Sequence, residues 1–216
     1  MASPEAQGDD QGEPLLEFLA VMRRLRAECP WKAEQTHRSL ARYLLEETHE
    51  TLEAIDAGDS TGDWSHLREE LGDLLLQVYF HAVVAEERGD FTIDDVARDI
   101  TAKMHRRNPH VFGDPGADRP MSAAEVNDAW EAIKATEKHR ASVTDGLPDT
   151  LPALLYAAKV VERAPLTRPK LSAGSADLGD RLLGLVVEAV DAGVDPEQAL
   201  RDAVRGSLHG PGDVRR

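Results

Sequence analysis

Cysteine is almost missing from this chain of 216 residues: Cys29 stands alone, which excludes an intrachain disulfide. With no basic, apolar leader at its start, the sequence is expected to belong in a reducing cytoplasm. No apolar run approaches the roughly 18 residues of a membrane span, so no membrane partner is expected. Positive charge is short as well. Lys and Arg number 25 against 40 Asp and Glu, and the formal net charge of -15 argues against a nucleic-acid groove, which needs cations to neutralise phosphates. Aromatics are only 5% of the residues. No stretch alternates apolar and polar residues as a strand would, and there is no Walker-type or dinucleotide glycine loop. What remains is rich in alanine, leucine, glutamate and arginine, a composition that favours helices, at a length that suits one good-sized domain or two small ones.

The helical period recurs along the chain. A helix is expected from Leu15 to about Glu28, stopping at Cys29-Pro30, after a disordered tail of residues 1–14. A second should run from about Ser39 to Ala57 and stop at Gly58, with Gly58 to Asp63 as a polar turn. The next covers about Trp64 to Arg88 before Gly89. Thr92 with Asp95, and Ser122 with Glu125, have capping-box spacing and open helices to about Arg107 and Arg140. Asn108 to Met121 reads as a loop and residues 141–150 as a linker. Three further helices are expected over about Leu151–Ala164, Ala176–Ala192 and Pro196–Ser207, ahead of a disordered tail at residues 211–216. Leu71-Gly72-Asp73 reappears as Leu178-Gly179-Asp180, so residues 151–210 look like a worn copy of the central region that has lost its acids, with Ala176-Asp177 where Glu69-Glu70 stood.

Two acidic clusters carry the chemistry. Residues three or four apart share a helix face, so Glu47 lies beside Glu50, Glu46 over Glu50, and Glu70 beside Asp73. Leu44, Leu45, Leu52 and Ile55 in one helix, and Leu67, Leu71, Leu74, Leu75 and Val78 in the other, are read as the packed stripes that these acids border. Gly72 is read as room for a close neighbour. Two such helices packed antiparallel would bring four or five carboxylates to one point, where their repulsion calls for a cation. Oxygen ligands alone favour a hard ion, Mg2+ or Mn2+. The ordinary alternative is that such acids form a solvated helix face.

Lys103 and Arg107, one turn apart, form a basic spot suited to a polyphosphate; the same charges also complement a helix C-terminus. Trp31 beside Gln35, Thr36 and His37 has the makings of a nucleobase platform, whereas Trp130, one turn before Lys134, fits a core position. His49 does not suit an oxygen-ligand site, and Cys29 lacks His and Asp company for thiol chemistry.

Together these residues resemble the MazG family of nucleoside triphosphate pyrophosphohydrolases over about Leu15 to Lys138. The family's acidic signature is matched by Glu46, Glu47, Glu50, Glu69, Glu70 and Asp73. Cys29-Pro30-Trp31, Glu34-Gln35-Thr36-His37 and Arg106-Arg107-Asn108-Pro109-His110-Val111-Phe112 match its other recurrent stretches. The resemblance implies an all-α, MazG-like helical bundle completed by homodimerisation, with residues 15–140 as the catalytic domain. It implies Mg2+ held by Glu47, Glu50, Glu70 and Asp73, with Glu46 orienting or deprotonating water. It places Lys103 and Arg107 on the triphosphate, Trp130 and Lys134 near the nucleotide, and Trp31 and Gln35 in the substrate pocket. His66 joins the substrate-binding set where the family carries lysine. The implied reaction releases a nucleoside monophosphate and pyrophosphate, and the implied role is clearance of non-standard or excess nucleotides. Three other readings compete: a related helical pyrophosphohydrolase specialised for one nucleotide, a ferritin-like di-metal protein drawing on Glu46 with His49 and Glu34 with His37, and an inert helical scaffold.

Overall fold

Pro14, whose ring fixes a helical backbone angle at a position that needs no amide donor, opens the first helix, α1, Glu13–Glu28. The computed structural model describes residues 12–113, 121–137, 142–163 and 177–208. The expected tails at residues 1–11 and 211–216 therefore lie outside the described residues, and Glu13 and Pro14, expected in the tail, belong to α1. After α1 come α2 (Pro30–Glu34), α3 (His37–Thr61), α4 (Ser65–Arg88), α5 (Ile93–Arg107) and α6 (Pro109–Phe112). Next along the chain are α7 (Ala123–Glu137), α8 (Ala153–Arg163), α9 (Leu178–Asp191) and α10 (Pro196–Leu208). The protein is all-α, with no strand among the described residues, and no described helix is long and apolar enough to cross a membrane. The chain divides into two compact units, Met1–Trp130 and Glu131–Arg216, and the division falls inside α7.

In the first unit α3 and α4 form a long antiparallel hairpin, with α1 packed on α4. Leu19, Met22, Leu40, Tyr79, Phe80, Val83 and Val84 make the core, and Tyr43, Leu75 and Ile93 pack around it. Both expected capping boxes are present: Thr92 exchanges bonds with Asp95, which opens α5, and Ser122 with Glu125, ahead of α7; a third, Thr36 with Ser39, opens α3 two residues before the expected start. Arg26 ties three elements together. It pairs with Glu87 on α4 at 2.6 Å and donates to the backbone carbonyls of Lys32 and Gln35, which fixes α2 and the turn into α3.

Three expectations need correction. Gly58 does not stop α3, which continues to Thr61 and ends on Gly62 at φ 75°. The indole of Trp64 folds back onto Gly58 so closely that a Cβ there would sit 2.4 Å from Cε3. Gly58 therefore serves the hairpin's close approach, and Gly62 supplies the left-handed stop. The loop expected over Asn108 to Met121 holds a short helix begun by Pro109, and residues 30–34, where no helix is expected, hold another begun by Pro30. Lastly, the apolar stripes that the sequence offers for packing are largely outside: Leu44, Leu45, Leu52, Ile55, Leu71 and Val78 are all exposed. The buried seam of α3 is instead Leu40, Thr51, Ala54 and Gly58, and a Cβ on Gly72 would meet nothing. Small side chains let the two helices approach, and the seam that results is partly polar.

At one end of that seam His37 and His81 lie with their rings parallel within 3° and their Nδ1 atoms 2.8 Å apart. A single proton joins the two nitrogens, so the pair is held best when His81 is neutral. Burial, and then the neighbouring His37, lower the pKa of His81 from its ordinary value. Below about pH 6.5, the ordinary histidine value, the unfolded chain takes a proton that folded His81 refuses. Stability should thus be full above that pH and fall as the pH drops, by at most about 1.4 kcal/mol per pH unit for this group. Urea unfolding at pH 7.5 and 5.5 should show a steeper loss in wild type than in His81→Phe; equal losses would remove His81 from the account.

In the second unit α8, α9 and α10 pack on one another, with Ala158, Val161 and Val186 as the core. Asp177 caps α9 by accepting from the amide of Asp180. The repeated Leu-Gly-Asp triplet thus sits in the first turn of α9, whereas its counterpart lies well inside α4.

Candidate metal and substrate site

Glu47 enters the seam from α3, and Glu70 and Asp73 enter it from α4. One carboxylate oxygen from each lies within 4.8 Å of the others. Glu70 is only 7% exposed, an unusual burial for a carboxylate. Its Oε1 meets His66 Nδ1 at 3.3 Å, and no protein donor reaches its buried Oε2. The pKa of Glu47 is raised, first by burial and then by the charges of Asp73, Glu50 and Glu70. A side-chain hydrogen bond with Glu50 adds to the rise, which puts Glu50 beside Glu47. Held by packing at this spacing, the carboxylates repel one another, and Glu47, Glu70 and Asp73 are the residues that would hold a hard divalent cation, which would satisfy the orphaned Glu70 oxygen and the excess charge together.

The other residues singled out by sequence surround this group in different ways. Glu46 is exposed and faces Arg42 at 4.0 Å. Thr51, buried at the seam, donates its hydroxyl to the Glu47 carbonyl and so braces the α3 turn that carries two of the acids. Trp31 is half-exposed, edge-on to Tyr43 at 6.0 Å, with Lys32 Nζ 5.5 Å over its ring. Both ends of the Gln35 amide are engaged: it donates to the Trp31 carbonyl at 2.9 Å and accepts from the Ser39 hydroxyl at 2.8 Å. Lys103 lines an open groove on α5 with Phe91, Val96 and Ile100. Arg107 is buried, with its guanidinium 5.2 Å over the Trp130 ring. Lys134 lies in the second unit, bonded to Glu131 at 2.8 and 3.0 Å. His49 is exposed and His37 is engaged with His81, and no histidine belongs to the carboxylate group among the described residues.

Two polar residues of the same seam escape a reading based on acidic clusters. Gln77 and His81 stand four and eight residues beyond Asp73 within the apolar run Leu74–Ala85, each with a buried side-chain atom that no protein group partners. Their spacing is the signal that marks them: two polar residues in register with a carboxylate, inside a stretch that is otherwise core.

Known proteins resemble this chain in sequence. The profile of the MazG nucleotide pyrophosphohydrolase domain matches residues 35–112, which hold both acidic clusters and the Lys103–Arg107 turn. An uncharacterised 26.1 kDa protein from the blaB 3' region of Streptomyces cacaoi is 48% identical over 90% of this chain and 80% of its own. The nucleoside triphosphate pyrophosphohydrolase of Mycobacterium tuberculosis is 43% identical over 94% of this chain, which spans 58% of that relative's length. The nucleoside triphosphate pyrophosphohydrolase/pyrophosphatase MazG of Thermotoga maritima is 38% identical over 88% of this chain and 80% of its own length. With the acids of the profile gathered on one helical seam and a named relative matched over most of its length, the chain belongs to the MazG nucleotide pyrophosphohydrolase family.

Proposed function

We propose that this chain hydrolyses nucleoside triphosphates to nucleoside monophosphate and pyrophosphate, using Mg2+, with Mn2+ as a substitute, on Glu47, Glu50, Glu70 and Asp73. The observation that carries the reading is the convergence of Glu47, Glu70 and Asp73 with one buried oxygen left unpartnered. Once bound, the cation supplies charge neutralisation on the phosphates and activates water for attack. The chain's residues do the rest. Glu46, on solvent beside the acids, takes the proton of the attacking water. The oxygen adds to the α-phosphorus, the bond from that phosphorus to the bridging oxygen breaks, and its electron pair leaves with pyrophosphate. Lys103 and Arg107 balance the charge gathering on that leaving group, with the ring of Trp130 holding the Arg107 guanidinium in place. Trp31 offers its half-exposed face to the base, His66 contacts the substrate beside Glu70, and Trp130 borders the nucleotide. Gln35 acts through the turn that carries Trp31.

The exposed apolar residues of α3 and α4, Leu44, Leu45, Leu52, Ile55, Leu71 and Val78, support a homodimer that buries them. A cytoplasmic role in clearing non-standard or excess nucleotides fits the chemistry, with residues 15–140 as the catalytic part and 151–210 kept for packing. The test is product analysis from a panel of ribo- and deoxynucleoside triphosphates by anion exchange. Monophosphate and pyrophosphate should appear in equal amounts with Mg2+ or Mn2+ and vanish with EDTA. Diphosphate with orthophosphate, or metal-independent cleavage, would overturn the proposal.

A further inference from the structure

The second unit packs three helices of 11, 14 and 13 residues, α8, α9 and α10, yet between them they bury only Ala158, Val161 and Val186. None of the three belongs to α10. A helix of that length is marginal in water unless its apolar face is packed, and a unit with so small a core needs a disulfide, a metal or a further protein surface to close it. Cys29, the one cysteine, lies in the first unit, and so does the carboxylate group that could hold an ion among the described residues. What is left is cover by another protein surface. The side chains that await it are large: Leu200, Val204 and Leu208 recur at one-turn spacing on α10, 53%, 49% and 74% exposed, and Leu178, Leu182 and Leu185 make a similar exposed stripe on α9. On two copies these stripes present on the order of 1,000 Å² of apolar surface, the size at which specific interfaces begin.

We propose that α10 packs antiparallel on α10 of a second copy of this chain, through a contact separate from the exposed α3 and α4 residues. The charges beside the stripe select this partner. On one side of it runs the row Glu197, Arg201 and Arg205, which lines an open groove together with Leu200 and Val204; on the other run the small residues Ala199, Ala203 and Ser207. In a two-fold antiparallel pair, like edges meet with their directions reversed. A row that starts on an acid and ends on a base then matches itself, with Glu197 of one helix set toward Arg205 of the other, and the two small rows let the helices approach. In a parallel pair the charged row would face the small one and no charge would be matched. Arg201 holds Glu197 at 2.8 and 3.1 Å within its own helix, which keeps the row in place. Exposed ion pairs of this kind fix orientation more than affinity, so the apolar stripes supply the association.

The experiment uses the full chain with Cys29→Ser, to which is added either Val204→Cys, in the middle of the stripe, or Asp202→Cys, at an exposed position on the far side of α10. A bismaleimide with a reach of roughly 10 Å, the separation of packed helix axes, is applied at micromolar protein, and the products are resolved on a denaturing gel. Val204→Cys should join chains in pairs roughly 100-fold faster than Asp202→Cys, because packing holds two copies of the site at an effective concentration far above that of free protein. Leu200→Asp combined with Val204→Cys should remove that advantage, with helical circular dichroism unchanged. Equal rates at the two positions overturn the proposal, and so does a fast Val204 linkage that survives Leu200→Asp. A Val204→Cys chain that stays single at every protein concentration overturns it as well, and is the result expected if α10 is covered within its own chain or by a different protein.

Discussion

Asp73→Asn is expected to reduce Mg2+-dependent pyrophosphate release by roughly 10²–10³-fold, the scale at which loss of one charge-stabilising group lowers an enzyme's rate. The fold should not suffer. Asp73 faces Glu47 and Glu70 within 4.8 Å, and of the neighbouring charges it raises the pKa of Glu47 most, after burial. Without a metal, removing its charge relieves repulsion, so the thermal midpoint in EDTA should stay level or rise. The pKa of Glu47 should move back toward the ordinary carboxylate value, which a carbon-detected NMR titration would track. Mg2+ should separate the two proteins in the opposite sense. At about 100 times its dissociation constant, a ligand specific for the folded state adds roughly 2.7 kcal/mol, and this increment should be present in wild type and much reduced in the variant. A variant as active as wild type would show that the carboxylates are a solvated helix face after all.

That sign pattern, a stabilised metal-free protein that no longer turns over, separates a functional cluster from a structural one. Ion pairs that exist to hold a fold together lose stability when one partner is removed. Here the cluster has charge of one sign only at its centre, with His66 at 3.3 Å from Glu70 as the nearest basic group to it by an ion-pair contact. The seam therefore stores repulsion that packing of α1, α3 and α4 must overcome.

How much of the fold and site is legible in the sequence differs from residue to residue. The all-helical fold is plain, because the apolar period, the Thr92 and Ser122 starts and the Gly89 stop all agree. Which face of α3 turns inward is not plain. Leu44, Leu45, Leu52 and Ile55 outrank Thr51, Ala54 and Gly58 in hydrophobicity, yet the small residues lie at the seam because only they let α4 come close. Hydrophobicity ranks side chains by their affinity for any apolar surface and says nothing of which surface. Gly58 misleads for a related reason: a glycine near a helix end reads as a stop, and its role against Trp64 depends on a ring that the chain places only after turning back. Gln77 and His81 are concealed by the leucines and valines around them, since a polar residue within a core run carries meaning only once its register with Asp73 is known.

Phe80→Ala should destabilise the first unit by about 3–5 kcal/mol, the range for emptying a buried aromatic site. Phe80 is 2% exposed and sits among Leu19, Met22, Leu40, Val83 and Val84, where α1, α3 and α4 meet. Its ring also carries two cations: Lys32 Nζ lies 5.2 Å and the Arg26 guanidinium 5.9 Å from its centroid. Both belong to the network that fixes α2, so the substitution opens a cavity and loosens the turn bearing Trp31 together. Against a total stability of about 5–15 kcal/mol for an ordinary domain, such a loss takes a large share of the margin. Denaturant unfolding monitored by helical circular dichroism should show it as a lowered midpoint at unchanged slope. Leu16→Ala, at a site 68% exposed on the outside of α1, should change stability by no more than about 0.5 kcal/mol. A Phe80→Ala loss below about 1 kcal/mol would mean that the three helices do not depend on this contact, and that the seam between α3 and α4 holds the carboxylates together by itself.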